Sequence, residues 1–269
     1  MKLRFLGVGS AFTSLDYFQS NILMESRSGK HLLIDCGSDI RFSLPAAFPP
    51  GTNCLNEINA IYISHLHADH IGGLEWVAFS TYFNPTIPRP GLYSESTMMR
   101  KLWEHSLQGG LSCINGKSMT LSDFFDCKRC TEGVPFLWEE LIITPVKVPH
   151  VEAGYDEHPS YGLLITEEGK PGQVFITTDI RFCPELIEEI APQVQTIFHD
   201  CETSPFATGV HAHYNDLNTL SPNTKAKLWL YHYQPTPTQD AEKDGFQGFV
   251  KKGQVFQYFE PEQRISESE

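Results

Sequence analysis

Apolar and polar positions along the chain sort into short runs, and most of the apolar runs end on a polar side chain. "KLRFLGVGS" reads as a first strand closing in a glycine turn. "NILMES" and "HLLIDCG" read as a strand pair, the second ending at Asp35–Gly37. Ile58–Ser64, "INAIYIS", is apolar and β-branched, as a buried strand requires. "GGLEWVAFSTYF" then begins a helix. Further strands are predicted at Glu140–His150, at "YGLLITEE", at Gly172–Asp179, at "VQTIFHDCE" and at Ala226–Tyr233. "CPELIEEIAPQ" carries helical periodicity, and "HYNDLNTL" begins another helix. Strands alternating with helices predict a layered α/β architecture.

The 269 residues suffice for one large domain or two small ones. No internal repeat and no low-complexity linker divides them, so a single domain over 1–269 is expected. The least regular part, Pro85–Thr131, is expected to be an insertion or lid. A content of 41% hydrophobic and 20% charged residues is that of a globular chain. Twenty Lys and Arg against 33 Asp and Glu leave a net charge of −13, which argues against a surface that coats extended nucleic acid. A local basic pocket stays open. No apolar stretch reaches membrane-spanning length, and "MKLRFLGVGSAF" lacks the pattern of a signal peptide. A cytoplasmic location and no membrane partner are expected. Seven cysteines, an odd number at low density, are expected to be mostly buried thiols. The residues after about Glu260 are polar and expected to fray.

Chemistry concentrates in "SHLHADHIGG", Ser64–Gly73. In an extended or turning loop His65 and His67 point to one side, and Asp69 and His70 to another. Such a loop can serve two adjacent metal ions, because imidazole suits Zn²⁺, Fe and Mn²⁺ and carboxylate suits the harder of these. Further ligands are available at the strand ends, at His150, Asp179 and His232. A lone histidine at a strand end is most often a turn or surface residue. The crowding in "HLHADH" after a buried strand has no packing explanation, and this shifts the reading to metal. His158 is an alternative to His150, in a polar loop that makes a poorer strand end. His199 competes with neither.

"HLHADH", followed by one His, one Asp and one His at distant strand ends, resembles the metallo-β-lactamase fold superfamily, as do "FLGVGSAF" and "LLIDCG". The resemblance covers nearly the whole chain. It implies a four-layer αββα sandwich with a dinuclear site at the sheet edge. His65, His67 and His150 would hold one metal, Asp69, His70 and His232 the other, and Asp179 would bridge them. Two divalent ions are implied, zinc first, with manganese or iron open. Together they supply a hydroxide nucleophile and a Lewis acid. Cys201 does not fall where some relatives place a cysteine ligand.

"FHDCET…GVHAHYNDLNTL" is similar to paired segments of the ribonuclease Z-like branch. Asp200 stands where that branch has glutamate. The implied proton donor is His211, oriented by Asp200, with His213 open as the alternative. Asp69 is counted with His211 and Asp200 among the catalytic groups. The tRNA-processing members carry a basic, glycine-rich arm, in many of them between the third histidine and the bridging aspartate. Here that interval, "VEAGYDEHPSYGLLITEEGKPGQVFITTD", is acidic and has room only for a strand hairpin. The expected substrate is therefore a small or cyclic-nucleotide-like phosphodiester rather than tRNA. A lactone or other ester, or a non-hydrolytic diiron protein that binds oxygen or senses redox state, remains the alternative. A homodimer is left open.

Weaker signals add little. "CKRC", Cys127–Cys130, could combine with Cys113 and His105 in a structural metal site, but free thiols are the ordinary reading. "GVG", Gly7–Gly9, reads as a tight turn near the metal edge rather than a dinucleotide fingerprint. Trp76, Phe79, Tyr82, Phe83, Tyr93, Trp103, Phe124 and Phe125 could include a base-stacking residue, but core or dimer packing is the ordinary role for any one of them.

Overall fold

The computed structural model describes residues 1–152, 157–170 and 172–259. The polar tail from Glu260 lies outside the described residues. The strands in chain order are β1 (Lys2–Phe5), β2 (Ile22–Glu25), β3 (His31–Ile34), β4 (Ile58–Tyr62), β5 (Gly91–Glu95), β6 (Cys113–Ile114), β7 (Lys117–Ser118) and β8 (Asp126–Cys130). They continue with β9 (Phe136–Trp138), β10 (Leu141–Glu152), β11 (Glu157–Glu167), β12 (Val174–Ile176), β13 (Thr196–Asp200), β14 (Leu228–Tyr231), β15 (Gly248–Phe249) and β16 (Val255–Gln257). Two seven-stranded sheets result, ordered β16-β1-β2-β3-β4-β5-β8 and β15-β14-β13-β12-β11-β10-β9, with β6 and β7 as a small separate hairpin.

Alternation along each strand sorts the side chains into three apolar layers. Leu3, Phe5, Met24, Ile34 and Tyr62 of the first sheet meet Leu163, Ile165, Ile176 and Phe198 of the second. Their neighbours Leu23, Leu33 and Ile61 face outward, against Leu74, Val77 and Ala78 of the helix Leu74–Phe83. On the far side Phe175, Ile197, Leu228 and Leu230 pack against Ile187 and Ile190 of the helix Pro184–Ile190. Helix, sheet, sheet, helix is the αββα sandwich expected from the sequence.

Within the first sheet β3, β4, β5 and β8 run parallel, and within the second β12 to β15 do. Parallel strands need crossovers, so their carboxyl ends gather at one edge, where open α/β sheets place ligands. β3 ends beside Asp35, β4 beside His65, β12 beside Asp179, β13 at Asp200 and β14 beside His232. The long antiparallel hairpin of β10 and β11 brings His150 to the same edge.

Of the segment 85–131, β5 and β8 extend the first sheet. The part left to cover anything is 96–125. Phe124 and Phe125 are buried, and Trp76, Phe79, Tyr82 and Trp103 pack against the outer core. Tyr93 stacks on Phe136 at 5.1 Å. These aromatics serve packing. Cys127 and Cys130 have backbone carbonyls two residues back as partners, and neither joins a metal-type cluster among the described residues. No helix among the described residues is long and apolar enough to cross a membrane.

Candidate metal centre

Three groups of ligand-type atoms meet at this edge, each within 4.8 Å: His65, His67, His150 and Asp179; Asp69, His70, Asp179 and His232; and Asp179, Asp200, His211 and His232. Asp179 belongs to all three, and its two oxygens divide the work. Oδ2 lies 3.5 Å from His65 Nε2 and 3.8 Å from His150 Nε2. Oδ1 lies 3.2 Å from His70 Nε2 and 3.4 Å from His232 Nε2. Asp69 Oδ2 completes the second group, 3.3 Å from both His70 Nε2 and His232 Nε2.

The outer hydrogen bonds settle which ring nitrogens carry lone pairs inward. His150 Nδ1 donates to the Val210 carbonyl at 2.8 Å, so its Nε2 faces His67 Nδ1 as an acceptor at 3.1 Å. Ser64 Oγ donates to Asp35 Oδ2 and therefore accepts from His65 Nδ1 at 3.0 Å. His65 Nε2 is then also a lone pair, 3.0 Å from the same His67 nitrogen. His70 Nδ1 donates to Asp35 Oδ2 at 2.8 Å, which turns its Nε2 toward the carboxylates of Asp69 and Asp179. That Nε2 and Asp179 Oδ1 are buried without a hydrogen-bond partner. Converging acceptors with no donor between them are the signature of a cation site. The donor set, imidazoles with carboxylates, fits zinc, manganese or iron.

Electrostatics agree with the donor set. Burial pushes His65, His67 and His150 below the ordinary imidazole range, which keeps their lone pairs available. Burial opposes charge on His232 too, but Asp179, Asp200 and Asp69 outweigh it and push it up to about 10. The same carboxylates raise His70. A pocket that stabilises positive charge this strongly is matched to divalent ions.

The backbone is strained where the ligands enter. Asp35 (φ 64°), Thr178 (φ 55°) and His232 (φ 64°) all occupy the left-handed region. Thr178 is β-branched, for which that conformation is an outlier. It turns the chain so that Asp179 points inward while Thr178 Oγ1 pairs with Ser160 Oγ at 2.7 Å. Gly37 allows the loops to close: a Cβ there would lie 2.1 Å from the Asp69 carbonyl oxygen. In the "GVG" turn, a Cβ on Gly7 would lie 2.1 Å from the Gln19 carbonyl oxygen.

All seven expected ligands are brought together. His211 Nδ1 lies 2.8 Å from buried Asp200 Oδ2, and its ring sits 4.9 Å from that of His232. His213 is instead the N-cap of the helix Tyr214–Leu217 and donates from Nε2 to the Ser204 carbonyl. His158 is exposed at the rim, His199 is buried under Asp200, and Cys201 is buried outside the clusters. Sequence reasoning missed the role of Asp35, which takes bonds from Ser64 N, Ser64 Oγ and His70. Its signal was present: "LLIDCG" is one more strand ending on a polar residue.

Beside His65 and His67 a cavity of about 380 Å³ opens between the loop after β4, the helical segment beginning at Ser96, and the β10–β11 hairpin.

Comparison with known proteins comes next to this geometry. The family described as "Anti-Pycsar protein Apyc1" matches residues 1–256. A protein of that description from Paenibacillus harenae is 36% identical over 257 residues, covering 93% of this chain and 97% of its own. Among solved structures, the metallo-β-lactamase fold protein YhfI from Bacillus subtilis superposes with a TM-score of 0.72 at 18% identity, covering 95% of this chain and 98% of its own. The short form of human tRNase Z gives a TM-score of 0.67 at 15% identity, with 96% and 99% covered. At these identities the two structures establish the fold, the metallo-β-lactamase sandwich.

Proposed function

The chain belongs to the Anti-Pycsar protein Apyc1 family and is a metal-dependent hydrolase, and from that premise we propose that it opens small phosphodiesters of the nucleoside cyclic phosphate type. The relatives' description as anti-Pycsar proteins is carried to this chain with that proposal. The observation that carries the reading is the carboxylate of Asp179, shared between two clusters with the His211–Asp200 pair at their seam.

In this reading His65, His67 and His150 hold one divalent ion, Asp69, His70 and His232 the other, and Asp179 bridges. The ions supply a nucleophile at neutral pH and charge neutralisation for the phosphoryl oxygens. Asp200 holds His211 in one orientation and favours its protonated form. His211 then delivers a proton to the departing oxygen. The mouth is narrow: His65, Asp69, His70, His150 and Asp179 are buried, while His67 and His211 reach solvent. The interval from His150 to Asp179 is spent on β11 and β12, which leaves the grip on tRNA without a source and favours a small substrate.

The test is metal analysis of protein purified without chelator, followed by a panel of cyclic nucleotides, a generic phosphodiester and lactones. Two divalent ions per chain and turnover of the cyclic nucleotides are expected. Lactone turnover alone, or iron–oxygen charge-transfer bands with no hydrolysis, would overturn the proposal.

Asp35→Asn is expected to keep the fold, because asparagine tolerates the left-handed backbone. It should weaken metal retention by roughly 10–100-fold, the usual cost of losing an outer partner of a ligating histidine. Dialysis against graded chelator, followed by metal analysis, measures this. Retention equal to wild type would remove Asp35 from the metal site's support.

A further inference from the structure

The helix Ser96–Leu102 does not continue as an α-helix: Trp103–Leu107 is a π-helical turn before the chain resumes α-helix at Gln108–Leu111. The insertion is legible in the burial pattern. Met99, Leu102, Leu107 and Leu111 face the outer core, at spacings of three, five and four. Regular α spacing after Leu102 would turn residue 106 to the core. The extra residue instead leaves Ser106 exposed and buries Leu107. Single π turns of this kind interrupt helices chiefly at functional sites.

What the turn presents is the wall of the cavity beside His65 and His67. Lys101, His105 and Ser106 line it, with Leu66, Met98 and Val151 as its apolar part. Its volume, about 380 Å³, falls within the ~300–1,000 Å³ of small-molecule sites. Three groups able to donate hydrogen bonds, set against an apolar floor, suit a flat heterocycle that carries acceptor atoms on its edge. An ammonium cannot accept. We propose that the π-turn wall reads the nucleobase of the substrate, with Lys101 donating to an exocyclic carbonyl of the base while the phosphodiester lies at the His65–Asp179 edge. The inference rests on the cyclic-phosphate reading above. It makes Lys101 a specificity residue, favouring uracil, cytosine and guanine over adenine, which has no exocyclic carbonyl.

The experiment measures kcat and KM of the metal-loaded wild type, Lys101→Ala, Lys101→Arg and His105→Ala. The substrates are the cyclic monophosphates of uridine, cytidine, guanosine and adenosine, together with bis(p-nitrophenyl) phosphate. Lys101→Ala should raise KM for the carbonyl-bearing substrates roughly 10–100-fold, the range a charge-assisted hydrogen bond supplies, and leave kcat comparatively steady. The uridine-to-adenosine ratio of kcat/KM should collapse toward one, and Lys101→Arg should restore part of it. His105→Ala should raise KM less, since a neutral donor is worth less. An unchanged base ratio in Lys101→Ala would overturn the proposal. So would equal losses of kcat on every substrate, bis(p-nitrophenyl) phosphate included. If the wild type opens bis(p-nitrophenyl) phosphate but no cyclic nucleotide, it is the substrate reading that fails. The wall is then tested by competition: uridine monophosphate should inhibit that reaction more tightly than adenosine monophosphate, and Lys101→Ala should erase the difference.

Discussion

Replacing Asp179 by alanine is expected to strip both metal sites at once and to take hydrolysis below detection. The expectation follows from how one carboxylate is used. Oδ1 faces His70 and His232, and Oδ2 faces His65 and His150, so no other residue contributes to both groups through separate atoms. Removing a terminal ligand such as His67 leaves the second site its own three. Removing the shared ligand leaves each site one short, and it also removes the charge that balances two cations. The variant further leaves buried, acceptor-bearing imidazoles facing one another with nothing between them, which costs stability as well as affinity. Asp179→Asn separates the two effects. It keeps the shape and part of the hydrogen bonding, so it should melt near the wild type while still losing metal. Metal per chain by elemental analysis, alongside circular dichroism and turnover, decides. Two ions retained at full occupancy in either variant would refute Asp179 as the bridge.

Much of this site could be read before any coordinates, for a physical reason. The residues that matter stand at the carboxyl ends of buried strands, and a buried strand is the most visible feature of a sequence. "INAIYIS" announces His65, "GQVFITTD" announces Asp179 and "AKLWLYHY" announces His232. The polar residue at the end of each run has no packing role there. What stayed hidden depends on contacts between distant segments. Nothing in "LLIDCG" says that Asp35 will meet Ser64 and His70, because that bond exists only once β3 and β4 lie side by side. The π turn was hidden because its signal is a single shift in spacing, from Leu102 to Leu107, inside a segment already poor in regular pattern. For the same reason β5 and β8 were folded into an expected insertion: five-residue strands flanked by proline and glycine resemble loop until the sheet edge they extend is known. The choice between His211 and His213 could not be made from spacing, since both lie in one short polar stretch. Which of them turns toward Asp200 is decided by the start of the helix Tyr214–Leu217, which takes His213 as its cap.

That division of labour makes a sharp pair of variants. His211→Ala should leave both metals bound but slow turnover by on the order of 10²–10⁴ on substrates that expel an alkoxide, the usual cost of losing a general acid. Nδ1 of His211 is engaged by Asp200 at 2.8 Å, so Nε2 is the nitrogen left to exchange a proton. The side chain is 19% exposed while Asp200 is wholly buried, so the ring stands at the mouth with its charge supported from beneath. Burial works against protonation of His211, and the Asp200 and Asp179 carboxylates overcome it and raise the group above its ordinary value. A departing nitrophenolate needs no proton, and on bis(p-nitrophenyl) phosphate the penalty should shrink toward the lower end of that range or vanish. His213→Ala should behave differently. It loses a cap that accepts from Asn215 N and a bond to the Ser204 carbonyl, so its cost is about 0.5–2 kcal/mol of stability with turnover near wild type. The measurement is kcat on an alkoxide and a nitrophenolate substrate for each variant, with metal content and melting temperature alongside. Equal slowing of His211→Ala on both substrates would point to a role in binding. Slowing confined to His213→Ala would transfer the proton to the residue that the fold uses as a cap.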